Sequence, residues 1–204
     1  MTAKQSQWKE IFSSNKKIAL FVLGIAALLS ALAINNKVSI YVDHVHGPAV
    51  GDLILDNIPI YDLNFLFFWV VLIFWVSNIV YRLICPKEFS FILVSMSLFV
   101  VVRSFFIALT HLGPPENLLI TPEELTYYSF NADMFFSGHV GAPFFYALLT
   151  SVKSVKWIAI IYSIAMVFIV LMSHGHYSID IFASFLIAHS LSVLMLKLKH
   201  HFVD

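Results

Sequence analysis

Two short polar runs hold the residues best suited to chemistry in this chain. Phe136-Ser137-Gly138-His139 opens one apolar stretch, and Ser173-His174-Gly175-His176-Tyr177-Ser178-Ile179-Asp180 precedes another. On a helix, His176 and Asp180 stand four apart and share a face. A carboxylate behind an imidazole fixes its tautomer and raises its basicity, as a nucleophile or general base requires. Gly138 permits close approach, and the start of a helix favours an anion, so Ser137, Gly138 and the following amides form a candidate phosphate seat without a lysine. Arg103 lies inside an otherwise apolar run. There it is either a functional group whose planar fork suits phosphate oxygens, or structural glue paired with Asp133 or Asp180. The loop Thr110-His111-Leu112-Gly113-Pro114-Pro115-Glu116 follows it and is stiffened by its prolines.

The elements that must position these groups are membrane helices. Of the 204 residues, 60% are hydrophobic and 12% charged, against about half and about a quarter in soluble domains. A water-soluble fold cannot cover so much apolar surface. Apolar runs predict six spans, at about 18–34, 63–84, 89–109, 132–151, 157–172 and 179–196, in one catalytic domain covering 1–204. The fold class is therefore all-α, a polytopic six-helix bundle.

Alternating the sides gathers Lys4, Lys9, Lys16, Lys17, Arg82, Lys87, Lys153, Lys156, Lys197 and Lys199 on one face, leaving only Lys37 and Arg103 elsewhere. The positive-inside rule then predicts cytoplasmic termini. The histidine motifs, with the loops 35–62 and 110–131, fall on the non-cytoplasmic face, periplasmic or lumenal. A formal net charge of zero implies no nucleic-acid partner. The single cysteine, Cys85, excludes an internal disulfide and a cysteine-built zinc site.

Ser137-Gly138-His139 with His176-Tyr177-Ser178-Ile179-Asp180 resembles the paired motifs of the membrane type-2 phosphatidic acid phosphatase superfamily. It is closest to the sphingomyelin synthase-like branch. Ala132-Asp133-Met134-Phe135-Phe136 before the first motif is similar to that branch, and so is the run from Arg103 to Pro115. The lysine and Arg-Pro motif of ordinary superfamily phosphatases is absent, as is an arginine at their spacing before His176.

The resemblance implies transfer of a phosphocholine-like head group from a phospholipid donor to a lipid alcohol such as ceramide, within the bilayer. His176, oriented by Asp180, would attack phosphorus, and His139 would act as general acid and then base. Arg103, Ser137, Gly138, Asp133 and Tyr177 would bind substrate, with no metal and no cofactor. Opposite protonation states of the two histidines predict a bell-shaped pH profile. Tyr127, Tyr128, Phe130, Phe135 and Tyr177 are candidates to cradle a quaternary ammonium, or members of an interfacial aromatic belt.

Three alternatives remain open at this level. Water as acceptor would make the site a phospholipase C or lipid phosphate phosphatase. His139, His174, His176 and Asp180 could hold zinc. A transporter would use intramembrane groups such as His189.

Overall fold

The computed structural model describes residues 8–9, 11–86, 88–116 and 132–203. Among the described residues seven α-helices are delimited: α1 Asn15–Val45, α2 Asn64–Ile84, α3 Phe89–Thr110, α4 Gly138–Leu149, α5 Lys153–Met172, α6 Ser178–Leu198 and the short α7 His200–Val203. A 3-10 turn, Leu55–Asn57, lies between α1 and α2, and there are no strands among the described residues. Lys4, Lys87, Tyr127, Tyr128 and Phe130, each singled out in the sequence, lie outside the described residues.

Among the described residues five helices, α1, α2, α3, α5 and α6, are long and apolar enough to cross a membrane. Their outward faces carry large apolar side chains: Leu29 is 63% exposed, Phe65 80% and Ile161 65%. An apolar belt of this extent needs a hydrocarbon surround. The chain is built as a helical, multi-pass membrane protein.

Two boundaries correct the sequence reading. The fourth span, expected over 132–151, is a helix of only 12 residues, about 18 Å at 1.5 Å per residue, against about 30 Å of hydrocarbon. Residues 132–137 approach it as irregular chain, because their carbonyls and carboxylate face Arg103 instead of continuing the helix. α4 is nonetheless the centre of the bundle: Val140, Phe145, Tyr146, Ala147 and Leu149 are all 2% exposed or less. It packs on α5 and α6, with Ser163 Oγ on α5 donating to the Val140 carbonyl at 2.8 Å.

The first helix, expected over 18–34, extends to Val45. Asn35, Ser39 and Asp43 recur every fourth residue and form one polar stripe that the rest of the chain satisfies. Asn35 Oδ1 accepts from Ser104 Oγ and Arg103 Nη1. Ser39 Oγ donates to Asp133, and Asp43 accepts from the Ala132 amide. Partnered in this way, polar residues prolong the helix past the apolar run.

One end of the bundle gathers the basic residues. Trp8 Nε1 donates to the Leu83 carbonyl there, and Phe21 packs on Phe89. Arg82, 3% exposed, donates to Tyr146 Oη and Thr150 Oγ1, both at 3.0 Å. Glu88 accepts from Lys199 and from the Ser151 amide. The N-terminal segment, the turn from α2 to α3, the turn from α4 to α5 and the end of α6 therefore share one layer. The histidine motifs lie at the other.

Candidate functional site

α4 and α6 begin side by side at the histidine end. The Ser137 amide donates to the Asp180 carbonyl at 3.3 Å, tying the two helix starts together. α6 begins where it does because Asp180 closes a capping box on Tyr177, its Oδ2 accepting the Tyr177 amide at 3.1 Å. The same oxygen lies 3.4 Å from His176 Nδ1. Asp180 is fully buried and His176 4% exposed. The pairing assigns the proton to Nδ1 and leaves Nε2 with its lone pair. At the second residue of α4, the His139 ring packs edge-on against Phe67 of α2, with centroids 4.7 Å apart. Its centroid is 6.2 Å from that of His176.

Arg103 organises the approach to α4. Its Nε donates to the Phe136 carbonyl at 2.9 Å. Nη1 reaches Asn35 Oδ1 at 3.3 Å and Asp133 Oδ2 at 3.2 Å. Nη2 reaches the Asp133 carbonyl at 2.9 Å and Asp133 Oδ2 at 3.2 Å. A guanidinium has five N–H groups, and these five contacts engage all of them. The arginine stands at the site, as its sequence position suggested, but its fork is committed to protein. Gly138 is what lets it do so: a Cβ there would lie 2.9 Å from Arg103 Nε and 3.3 Å from Cζ.

The start of α4 is less occupied. Ser137 precedes it without a side-chain cap, and its buried hydroxyl has no protein partner, nor does Asp180 Oδ1. These polar groups are buried without protein partners at a helix start beside two imidazoles.

Tyr177 is placed differently. It is 1% exposed, and its hydroxyl accepts from the Val50 amide at 3.2 Å and donates to the Gly113 carbonyl at 3.0 Å. It fastens two loops to the head of α6, with Leu55 and Met134 packed around it. Phe135 is half-buried and packs on Phe106, whereas Tyr177 presents no open face.

Asp52 supports the site, a role the sequence reading did not assign to it. Its Oδ2 accepts from the Ser178 amide at 2.7 Å and from Ser178 Oγ at 2.8 Å, capping α6 from a loop 126 residues away. Oδ1 accepts from the Ile54 and Leu55 amides. Burial pushes the Asp52 carboxyl up. The Leu55 amide, the Ser178 hydroxyl and amide, and the Ile54 amide outweigh it and hold the group below its ordinary value of 3.8. The only signal in the sequence was an acid in a loop with turn-forming neighbours.

Among the described residues, no group of three or more His, Cys, Asp or Glu side chains is placed to hold a metal ion. No protein family, characterised protein or solved structure matches the chain.

Proposed function

We propose that this protein is a phosphotransferase of membrane lipids, moving a phosphorylated head group from a glycerophospholipid to a lipid alcohol through a phosphohistidine. The observation that carries the reading is the pair of imidazoles 6.2 Å apart, one backed by a buried carboxylate, at two adjoining helix starts. The six-crossing topology with both termini cytoplasmic belongs to the same proposal. The clustering of Lys9, Lys16, Lys17, Arg82, Lys153, Lys156, Lys197 and Lys199 at the end opposite the histidines supports it.

His176 Nε2 attacks phosphorus while Nδ1–H is held toward Asp180. The P–O bond to diacylglycerol breaks, and His139 gives its proton to the departing oxygen. The head group is now a phosphodiester analogue on nitrogen. His139, now neutral, takes the proton of an acceptor hydroxyl; the new O–P bond forms and the N–P bond breaks. The amides at the start of α4 and the unpartnered Ser137 hydroxyl face the charge on the non-bridging oxygens. Arg103 serves as a positioning residue, holding 133–136 so that His139 meets His176.

The test is product analysis in proteoliposomes with a head-group-labelled phospholipid, with and without ceramide or diacylglycerol. Label in a new lipid only when the alcohol is present supports transfer. Water-soluble label regardless of alcohol makes the protein a phospholipase C. Solute flux without any lipid conversion would establish a transporter.

A further inference from the structure

Around His174, the loop between α1 and α2 borders an open cavity of about 400 Å³. Asp56, Glu116 and His174 line it together with Val50, Leu55 and Ile58, and no lysine or arginine is among its lining residues. Its ionisable lining is two exposed carboxylates and one buried imidazole, a set that favours a cation over an anion.

Acidic residues on a loop would carry no site by themselves. His174 adds an independent observation. It is held in the left-handed region at φ 53°, where a non-glycine residue is costly. Its side chain is 5% exposed and lines the cavity, yet Nε2 is buried without a partner. A buried ring nitrogen of this kind needs a ligand atom to complete it. His174 is two residues from His176 on the same turn, and the Tyr177 hydroxyl binds the Val50 amide at the cavity wall. The cavity and the histidine pair thus belong to one loop assembly.

We infer that this cavity binds the head group of the donor lipid, and that it selects a primary ammonium over a quaternary one. This rests on the transfer reading above. The two carboxylates and the imidazole nitrogen are acceptors, and a primary ammonium offers three N–H donors to them. A trimethylammonium carries the same charge but no N–H, and is best held by aromatic faces. Among the described residues the wall is aliphatic, Tyr177 is turned into the protein, and two carboxylates disfavour head groups with an acid of their own. The class selected is a zwitterionic phospholipid with an aminoethyl head.

The experiment is native mass spectrometry of the full chain in detergent, with equimolar phosphatidylethanolamine, its N-methylated series, phosphatidylcholine and phosphatidylglycerol of identical acyl chains. Turnover of each lipid is measured in parallel. Charge-assisted bonds lost on methylation predict that bound ethanolamine lipid exceeds choline lipid by about tenfold or more. The Asp56→Asn/Glu116→Gln double variant, with its unfolding temperature unchanged, is expected to bring the ratio within about twofold. Equal binding of the two lipids, no bound lipid, or a ratio untouched by the double variant would overturn the assignment. Selective binding without turnover leaves the cavity assignment standing and removes the transfer reading. Turnover indifferent to head group, with unselective binding, does the reverse.

Discussion

Gly138→Ala tests how the site is positioned. The added Cβ would lie 2.9 Å from Arg103 Nε and 3.2 Å from Cδ. Ordinary contact starts at 3.4 Å, so one partner must move by about 0.5 Å, a displacement typical of overpacked interiors. The guanidinium cannot swing aside freely, because five bonds hold it to Asn35, Asp133 and Phe136. Lengthening the 2.9 Å bond to Phe136 by that amount takes it beyond good hydrogen-bond range. Overpacking of this kind costs about 1–3 kcal/mol, and the better helix propensity of alanine returns at most about 1 kcal/mol. The net loss is about 1–2 kcal/mol, or about 2–8 °C in Tm for a chain of this size. Because His139 is the next residue, the same shift moves the proton donor, and turnover should fall about tenfold to a hundredfold. Thermal unfolding in detergent and lipid conversion by mass spectrometry read both effects. Gly175→Ala is the stability control: its Cβ would meet Ser173 Oγ at an ordinary 3.4 Å, and its unfolding temperature should stay close to that of the parent. A Gly138→Ala protein with parental stability and turnover would refute the claim that Arg103 and the start of α4 are fitted to each other.

Other outcomes follow from the same contacts. Tyr177→Phe deprives the Val50 amide and the Gly113 carbonyl of their partner. It should cost about 1–3 kcal/mol, and hydrogen exchange should accelerate across residues 46–52; unchanged exchange there would contradict the role of this phenol. Asp52 has its folded pKa below its unfolded value, so its contribution is full above about pH 4 and disappears as pH falls through the folded value. Asp52→Asn should flatten that acid limb of the stability profile, and an identical limb in the variant would reject the assignment. Glu88→Gln leaves the buried Arg82 short of a countercharge and breaks the tie to Lys199. Its Tm should fall while the ethanolamine-to-choline binding ratio is kept, since this layer is at the far end from the histidines.

Much of the bundle was legible because apolar runs report directly on spans, and Leu63–Ile84, Phe89–Leu109 and Ile179–Leu196 lie within two residues of helices found. The errors share one cause. Asn35, Ser39 and Asp43 look like a loop when each is judged by polarity alone, and they become helix only because Arg103, Asp133 and Ala132 lie opposite. Their spacing of four was the available signal. Conversely, 132–137 looks like the start of a helix until a distant guanidinium claims its carbonyls. The pairing of His176 with Asp180 was readable from their separation of four, although α6 starts at Ser178 and His176 stands in the turn before it. The 6.2 Å approach of His139 to His176 depends on packing between α4 and α6, and the cap that Asp52 places on Ser178 spans most of the chain. No local pattern encodes either.

The most direct measurement of the central claim is a search for the covalent adduct on His176. The protein is incubated with head-group-labelled phospholipid, quenched at alkaline pH, digested and sequenced by mass spectrometry. The account predicts an acid-labile, base-stable adduct carrying the head-group phosphate on His176, absent from His176→Ala and accumulating when the acceptor alcohol is withheld. An adduct on another residue, or full turnover by His176→Ala, would contradict it.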